Sequence, residues 1–390
     1  MKHISLLLGA GFSVNKGYPT GSDLNNKILN LKITDFCVST GGTVAWLTDG
    51  QDDPFNYSIY YTYKVFTLDC IKLYAGSNSF DYEKFYDFYK IDVRNAAADS
   101  EFNIFCDDFR KKYNCEENNI NLLMHLDNIY NQLIGGLLVD GEGNKFYEPV
   151  HYCEPIYPGY TGILNCLKSW GKDYKVHIHT LNHDLFFETF KSSDWLQGEL
   201  DDGFQELGSP YYGDFQERFK VRLPVFTDTY KKKFNLYKLH GSIDQYPFHL
   251  ANGIVETYIK NKNGIGAGGL YKETVDENNE LVYINDWINY HSDFLSGTSA
   301  KILRYREPTY YEKVFQNFEQ NLKNSEYLIL IGYGCGDSEI NNLIEKFYKG
   351  YNRIFVVDPY PQEKTQEFCN RFDAIMIERH LQDLTENDFN

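Results

Sequence analysis

The sequence predicts an α/β fold built on a doubly wound parallel sheet, with a helical module and a β-rich insertion. Five short apolar runs each end in a small or polar cluster, and segments with helical periodicity lie between them. At 390 residues the chain is long for one domain, but a doubly wound sheet with large insertions reaches this length. We expect one domain over residues 1–390, a helical insertion at about residues 77–157 and a β-rich insertion at about residues 245–306.

The first apolar run, Ile4 to Leu8, is a buried strand that leads into a glycine turn at Gly9 and Gly11. In Rossmann-like folds, the backbone N–H groups of such a turn and of the next helix bind a phosphate. Val14 stands where the third glycine of a G-x-G-x-x-G pattern would fall. The loop taken alone therefore fits a tight strand-to-helix turn as well as it fits a nucleotide site.

The rest of the chain alternates predicted helices and strands. The predicted helices are one capped by Ser22, those within Phe80 to Tyr89 and Ile120 to Leu138, one from Pro158 to Gly171, one from Tyr311 to Leu322 and one capped by Asp337. The predicted strands lie within Lys175 to Asp184, Phe234 to Asp244, Tyr327 to Ile331, Ile354 to Val357 and Ala374 to Ile377. Turn signals between Asp244 and Arg306 indicate a hairpin-like insertion, and residues 34–76 fit short strands or helix equally.

Composition excludes several classes of protein. The formal charge of −17, from 55 acidic and 38 basic residues, disfavours direct binding to nucleic acid. No apolar stretch approaches the length of a membrane span, so we expect a cytoplasmic protein with no membrane contact. The eight cysteines include no C-x-x-C pair, which argues against a thiolate zinc site and against a disulfide framework.

The carboxyl ends of parallel strands lie along one edge of a sheet, where the crevice binds ligands. This rule brings an amide (Asn182), an imidazole (His240) and three carboxylates (Asp184, Asp337 and Asp358) around one cleft. Simpler roles remain open for four of them: a turn residue for Asn182, backbone bonding for His240, a helix cap for Asp337 and a loop carboxylate for Asp358. Neighbouring histidines at 177, 179 and 183 do not predict a metal site, because no well-placed fourth ligand accompanies them.

Four motifs in this order resemble those of sirtuins. They are GAGFS followed by GYPT from Gly9 to Thr20, TLNHD from Thr180 to Asp184, LHG from Leu239 to Gly241, and IGYGCGD from Ile331 to Asp337. The resemblance implies a sirtuin-like fold that binds NAD+ as substrate, with Asn182 and His240 as catalytic residues. It further implies that these residues contact or shape the NAD+ site: Gly9, Ala10, Gly11, Phe12, Ser13, Pro19, Thr20, Asp184, Gly332, Tyr333, Asp337 and Asp358.

Two departures from the sirtuin deacylase pattern refine this expectation. Sirtuin deacylases carry a four-cysteine zinc module after the His-Gly, whereas no cysteine lies between Gly241 and Cys335 here, so we expect no zinc. In addition, this chain has TLNHD where deacylases commonly have TQNID. This replacement is similar to that in divergent sirtuin-like proteins of bacterial antiphage systems. The resemblance then implies an NAD+ hydrolase in abortive infection. Its expected partners are further copies of the chain, a HerA-type hexameric translocase ATPase, or both.

The chemistry of NAD+ cleavage suits these residues. Breaking the nicotinamide–ribose bond passes through an oxocarbenium-like transition state, as in glycoside hydrolysis. The uncharged amide of Asn182 can hold the ribose or a water, and His240 can accept a proton from a hydroxyl or from that water. Two alternatives remain: an NAD-dependent deacylase or ADP-ribosyltransferase, and an inactive scaffold that senses NAD+ or ADP-ribose.

Overall fold

A computed structural model of the protein describes residues 2–95, 97, 100–138, 157, 159–215, 218–250, 252–262, 264–284, 291–350 and 353–390. Parts of the two predicted insertions, at residues 139–156 and 285–290, therefore lie outside the described residues. Pro158, where we expected a helix to begin, also lies outside them.

Helices and strands alternate through most of the described chain. The strands are β1 (Lys2–Leu8), β2 (Phe36–Val38), β3 (Val44–Trp46), β4 (Tyr174–Thr180), β5 (Leu200–Asp201), β6 (Gly203–Gln205), β7 (Tyr211–Phe215), β8 (Phe219–Arg222), β9 (Val225–Thr229), β10 (Phe234–Lys238), β11 (Gln245–His249), β12 (Val255–Lys260), β13 (Leu270–Val275), β14 (Leu281–Ile284), β15 (Tyr327–Ile331), β16 (Ile354–Val357) and β17 (Ile375–Ile377). The α-helices are α1 (Gly21–Leu29), α2 (Ile59–Ser77), α3 (Tyr82–Asp87), α4 (Glu101–Tyr113), α5 (Asn119–Leu137), α6 (Thr161–Asp173), α7 (Ala300–Arg304), α8 (Tyr311–Asn324), α9 (Ser338–Phe347) and α10 (Glu363–Phe372).

Seven strands form the central sheet, in the order β17-β16-β15-β1-β4-β10-β5. All of its neighbouring strands run parallel, with Leu8 beside both Ile331 and Thr180. The order reverses direction at β1, so the carboxyl ends of β1, β4 and β15 lie together at the switch point. This confirms the predicted α/β parallel sheet.

Alternate residues of the central strands pack on opposite faces of the sheet, which is the pattern of a doubly wound fold. Ile4, Leu6 and Leu8 of β1 join the core that includes α6, whereas Leu7 joins the core that includes α8 and α9. Strands β15 and β16 alternate in the same way. Because both faces are covered, these strands read as continuous apolar runs in the sequence.

Two helix ends differ from the prediction. Thr20, rather than Ser22, caps α1: the Thr20 hydroxyl accepts from the Asp23 N–H at 3.2 Å and the Asp23 carboxylate accepts from the Thr20 N–H at 2.9 Å. Gly171 does not end α6, which continues to Asp173. A Cβ at Gly171 would lie 2.6 Å from the ring of Phe234, so close packing against β10, and not helix termination, explains this glycine.

A helical layer covers one side of the cleft edge. Helices α2, α4 and α5 share one core with α1 and α3, in which Phe66, Phe85, Leu126 and Tyr130 are buried. The sequence left residues 34–76 open between short strands and helix, and the structure has both. Strands β2 and β3 form a hairpin, and most of α2 follows in the same segment. None of the helices in the described part of the chain is long and apolar enough to cross a membrane.

Antiparallel strands form two further four-stranded sheets, β11-β12-β9-β6 and β14-β13-β7-β8. They pack on a separate core that includes Leu223, Phe248, Ile259 and Leu270. Strands β6 to β9 of these sheets precede residue 245. The antiparallel structure therefore begins before the β-rich insertion that the turn signals predicted at about residues 245–306. The domain boundaries themselves stay a prediction.

Candidate functional site

A cleft of about 450 Å³ lies at the carboxyl ends of β1, β4 and β15. The predicted site residues that line it are Gly9, Ala10, Pro19, Asn182, Asp184, His240, Gly332, Tyr333 and Asp337. They come from positions more than 300 residues apart in the sequence, and the parallel sheet brings them together. The expected convergence of the strand-end clusters is therefore observed for these nine residues.

The glycine turn packs against the loop after β15. The Gly11 N–H donates to the Gly332 carbonyl at 3.0 Å, and a Cβ at Gly11 would lie 2.8 Å from the Gly332 Cα. The N–H groups of Gly9, Phe12 and Ser13 also donate to carbonyls of the protein. These four N–H groups are thus used inside the fold, and glycine is needed where the two loops touch. Gly11 does not line the cleft, and its part in an anion cradle stays a prediction.

Four other predicted site residues also lie outside the cleft lining. Phe12 is 1% exposed and packs among Tyr160 and Phe186, so its side chain belongs to the core. Ser13 is buried, Thr20 caps α1, and Asp358 accepts a hydrogen bond from the Tyr360 N–H in the turn after β16. Each of these four side chains thus has a contact within the fold, and their assignment to the NAD+ site stays a prediction.

Asn182 links the end of β4 to the glycine turn. Its Nδ2 donates to the Gly9 carbonyl at 3.0 Å and to the Ser13 hydroxyl at 3.2 Å. These two bonds orient the amide, so its Oδ1 is the atom left to accept a hydrogen bond from a ligand or a water. Asn182 therefore stabilises the site and also presents a fixed acceptor at its edge.

His240 follows β10 and is 4% exposed. Its Nε2 lies 3.1 Å from the Tyr305 hydroxyl, and Tyr305 in turn stacks on Phe315 with ring centroids 4.0 Å apart. Burial, together with the positive charge of Lys301, holds the pKa of His240 well below its usual value. The imidazole is therefore neutral near pH 7.

The structure adds charged residues that the sequence reasoning missed. Glu83 from α3 and Lys301 from α7 both line the cleft. The Lys301 ammonium lies 2.9 Å from the Asp337 carboxylate and 3.7 Å from that of Glu83. No motif marks either residue, and α7 is too short to show a periodic pattern, so only the tertiary fold reveals them. Asp337 caps α9, as predicted, through bonds from the N–H groups of Glu339 and Ile340.

A larger cavity of about 970 Å³ lies on the other side of α7, between the helical layer and β12. None of the predicted site residues lines it. Its charged groups are already paired within the protein: Lys90 with Asp127 at 2.7 Å and Arg304 with Asp293 at 2.8 Å. The chemistry of the strand-end motifs therefore belongs to the smaller cleft.

The described part of the chain holds no group of three or more His, Cys, Asp or Glu side chains that could bind a metal ion. His177 stacks on His3, with 2.9 Å between ring nitrogens, and burial lowers the pKa of His177 to about 3. His177 is thus a neutral residue of the sheet. The absence of a metal site at these histidines stays a prediction.

We predict that the purified protein contains far less than one zinc per chain, because the cysteine spacing of a closed thiolate site is absent. Elemental analysis after dialysis measures the content directly. A chelator should leave the melting temperature unchanged. Stoichiometric zinc whose removal unfolds the protein would contradict this prediction.

A family model for the SIR2-like domain matches residues 176–378, which is more than half of the chain. The chain belongs to this family. The matched segment includes Asn182, His240 and Asp337, whereas the glycine turn precedes it. Membership in the SIR2-like family indicates an NAD-utilising protein of sirtuin type and agrees with the resemblance found in the motifs.

Solved structures that match this chain include sirtuins, at low similarity. One is a sirtuin structure that addresses the structural basis of sirtuin substrate affinity. Its sequence is 10% identical to this chain, the match covers 98% of this chain and 90% of that chain, and the TM-score is 0.36. Another is a Sir2 homolog–NAD complex, at 10% identity, with 100% of this chain and 88% of that chain covered and a TM-score of 0.35. No curated protein matches the SIR2-like chain.

Proposed function

We propose that this SIR2-like protein hydrolyses NAD+ to nicotinamide and ADP-ribose. The observation that carries the proposal is the meeting of an oriented amide, Asn182, and a neutral buried imidazole, His240, in one cleft. A neutral imidazole is the form of histidine that acts as a general base. The cleft lies at the switch point of a parallel sheet, where dinucleotides bind in such folds.

In this proposal, water attacks the anomeric carbon as the bond to nicotinamide breaks. The bond electrons leave with the pyridinium ring, which becomes neutral nicotinamide, and the ribose transiently carries positive charge. The Asn182 Oδ1 accepts a hydrogen bond from the water or from a ribose hydroxyl. His240 removes the proton that the water or hydroxyl releases, so charge and atoms balance.

The charges around the cleft suit this transition state. Glu83, Asp184 and Asp337 bring three carboxyl groups to the lining, and the described lining holds one ammonium, Lys301. An excess of carboxyl groups attracts the cationic pyridinium ring of the substrate and the cationic ribose of the transition state. The acidic cleft therefore favours cleavage of a positively charged glycosidic bond.

The segment after His240 supports hydrolysis over protein deacylation. In the described residues between Gly241 and α8, antiparallel strands β11 to β14 and α7 stand where sirtuin deacylases carry a cysteine zinc module. A deacylase or ADP-ribosyltransferase remains the alternative enzyme, and an inactive NAD+ or ADP-ribose scaffold remains the alternative binding protein. Both are outcomes of the test below.

We further propose that the protein is the effector of a bacterial antiphage system, held inactive until a partner or self-assembly activates it. An NAD+ hydrolase that is always active would deplete its host. Support comes from the TLNHD motif, which is similar to that of sirtuin-like proteins of such systems. By resemblance, the partner is a HerA-type hexameric translocase ATPase.

The test of function follows nicotinamide release from NAD+ by the full chain, alone and with the product of a neighbouring gene. We expect release without any acyl-lysine peptide, and faster release in the assembled complex. Release that requires an acyl-lysine peptide would instead indicate a deacylase. NAD+ that binds but stays intact in every assembly would identify a scaffold and refute hydrolysis.

A further inference from the structure

Helix α7 is fixed to the helical layer by one carboxylate. Asp87, the last residue of α3, accepts hydrogen bonds from the N–H groups of Thr298, Ser299 and Ala300 at 2.8–2.9 Å and from the Thr298 hydroxyl at 2.6 Å. An acidic side chain at a helix N-terminus satisfies the N–H groups that have no partner within the helix. This contact holds α7 in one orientation beside the cleft.

That orientation points Lys301 into the cleft. Lys301 is 7% exposed, and its ammonium lies 2.9 Å from Asp337 Oδ2. The same carboxylate oxygen lies 4.0 Å from His240 Nε2. Asp337 thus lies between the Lys301 ammonium and the His240 imidazole. Loss of the ammonium would therefore change the electrostatic field that the carboxylate exerts on the imidazole.

We propose that Lys301 is a positioning residue for His240, which keeps the Asp337 carboxylate neutralised and the imidazole ready to accept a proton. The inference rests on the proposed function, in which His240 is the general base. An unpaired carboxylate 4.0 Å from an imidazole would stabilise the imidazolium and raise the imidazole pKa, so a larger share of His240 would already hold a proton before substrate is cleaved. Pairing with Lys301 offsets that attraction, so the Lys301–Asp337 pair acts together with burial to keep His240 neutral.

Other groups facing His240 come from each element packed against it. Asp337 belongs to the N-terminus of α9, Lys301 to α7, Tyr305 to the segment after α7 and His183 to the loop after β4. Burial lowers the pKa of His183 to about 3, so it is neutral, and burial raises the pKa of Tyr305 above its usual value, so it is neutral too. Glu83 on α3 faces Lys301 rather than His240, and burial raises its pKa. The charges that act on His240 in this cluster are therefore those of Asp337 and Lys301.

The experiment follows the ionisation of His240 by NMR in protein with isotope-labelled histidine, with the His240 signal assigned from a His240→Gln variant. In the unaltered protein we expect His240 to stay neutral across about pH 5–8. In Lys301→Met, the His240 pKa should rise by about one unit or more, so that His240 titrates at higher pH. Lys301→Arg should restore the unaltered behaviour, and Asp337→Asn should keep His240 neutral, because the attracting carboxylate is gone.

Lys90→Met is the matched control, since Lys90 also forms a 2.7 Å ion pair with an aspartate but lines the other cavity. It should leave the His240 titration unchanged. If His240 stays neutral in Lys301→Met, or if Lys90→Met shifts it equally, the proposal is overturned. If Lys301→Met loses its fold, its melting curve shows this and Lys301→Gln takes its place. His240 should then titrate at higher pH in Lys301→Gln and stay neutral in Asp337→Asn, and any other result overturns the proposal.

Activity provides the second measurement. If NAD+ is cleaved, the acidic limb of the pH profile for nicotinamide release should move to higher pH in Lys301→Met, with turnover largely kept at about pH 8. The NMR titration needs no substrate. A protein that cleaves no NAD+ but shows the expected titration shifts would refute the proposed function and leave the role of Lys301 intact, whereas cleavage without those shifts would refute only the role of Lys301.

Discussion

Replacing His240 with asparagine should lower the rate of nicotinamide release from NAD+ by about 10²–10⁴-fold, the usual cost of losing a general base. The buried neutral imidazole is the group in the cleft best placed to take a proton, and the amide of asparagine cannot do so. NAD+ affinity should change little, because the substitution removes a proton acceptor and leaves the loops around it in place. Rate and affinity are measured separately, by nicotinamide release and by calorimetry.

Asn182 should show a similar loss of rate with a second effect on stability. Asn182→Ala removes two hydrogen bonds to the glycine turn, at 3.0 and 3.2 Å, each worth about 1 kcal/mol. We therefore expect a lower melting temperature in this variant as well as slow cleavage. Asn182→Asp keeps the size of the side chain but places a charge beside the Gly9 carbonyl, so it tests the need for a neutral amide.

A matched control comes from the larger cavity. His125 is a half-buried histidine that lines that cavity and stacks on Tyr63 with ring centroids 3.6 Å apart. His125→Asn should leave NAD+ cleavage unchanged. If His240→Asn and Asn182→Ala retain near-native turnover in folded protein, the catalytic assignment is wrong and the cleft is a binding site.

Gly332→Ala should destabilise the whole fold by about 3 kcal/mol. Gly332 has φ +59°, a left-handed conformation that costs an L-residue about 1–2 kcal/mol. In addition, a Cβ there would lie 2.3 Å from the Phe12 backbone nitrogen and 2.4 Å from the Gly11 carbonyl carbon, and backbone atoms of a glycine turn can yield only by moving the strands. Such overpacking costs about 1–3 kcal/mol more. Denaturant unfolding measures the change.

Gly334→Ala is the control for this prediction, because a Cβ at Gly334 would have no atom within 4 Å and its φ is not positive. Gly334 lines the cleft, so this variant should keep its stability while it reports any effect on NAD+ binding. Gly11→Val should destabilise as Gly332→Ala does, since its side chain would also meet the Gly332 backbone. Equal stability of the Gly332 and Gly334 variants would show that the two loops separate easily.

The sequence by itself determined the parallel sheet and the cleft at the strand ends. Continuous apolar runs such as those of β1 and β15 mark strands that are buried on both faces, and the polar residues after them must meet at one edge because parallel strands share a direction. This argument placed Asn182, Asp184, His240 and Asp337 together. Short-range patterns also gave the cap of α9 at Asp337, whose side chain accepts hydrogen bonds from the N–H groups two and three residues later.

Only the tertiary structure showed why particular residue types occupy their positions and which charged side chains surround the cleft. Gly11 and Gly171 are glycines because distant segments, the Gly332 loop and Phe234, pack against them. Phe12 follows the same turn yet points into an aromatic core. Lys301 lies at the cleft on a helix whose first N–H groups bond to Asp87, more than two hundred residues earlier. Local sequence patterns record contacts within a few residues, whereas the side chains that surround His240 are set by the packing of segments far apart in the chain.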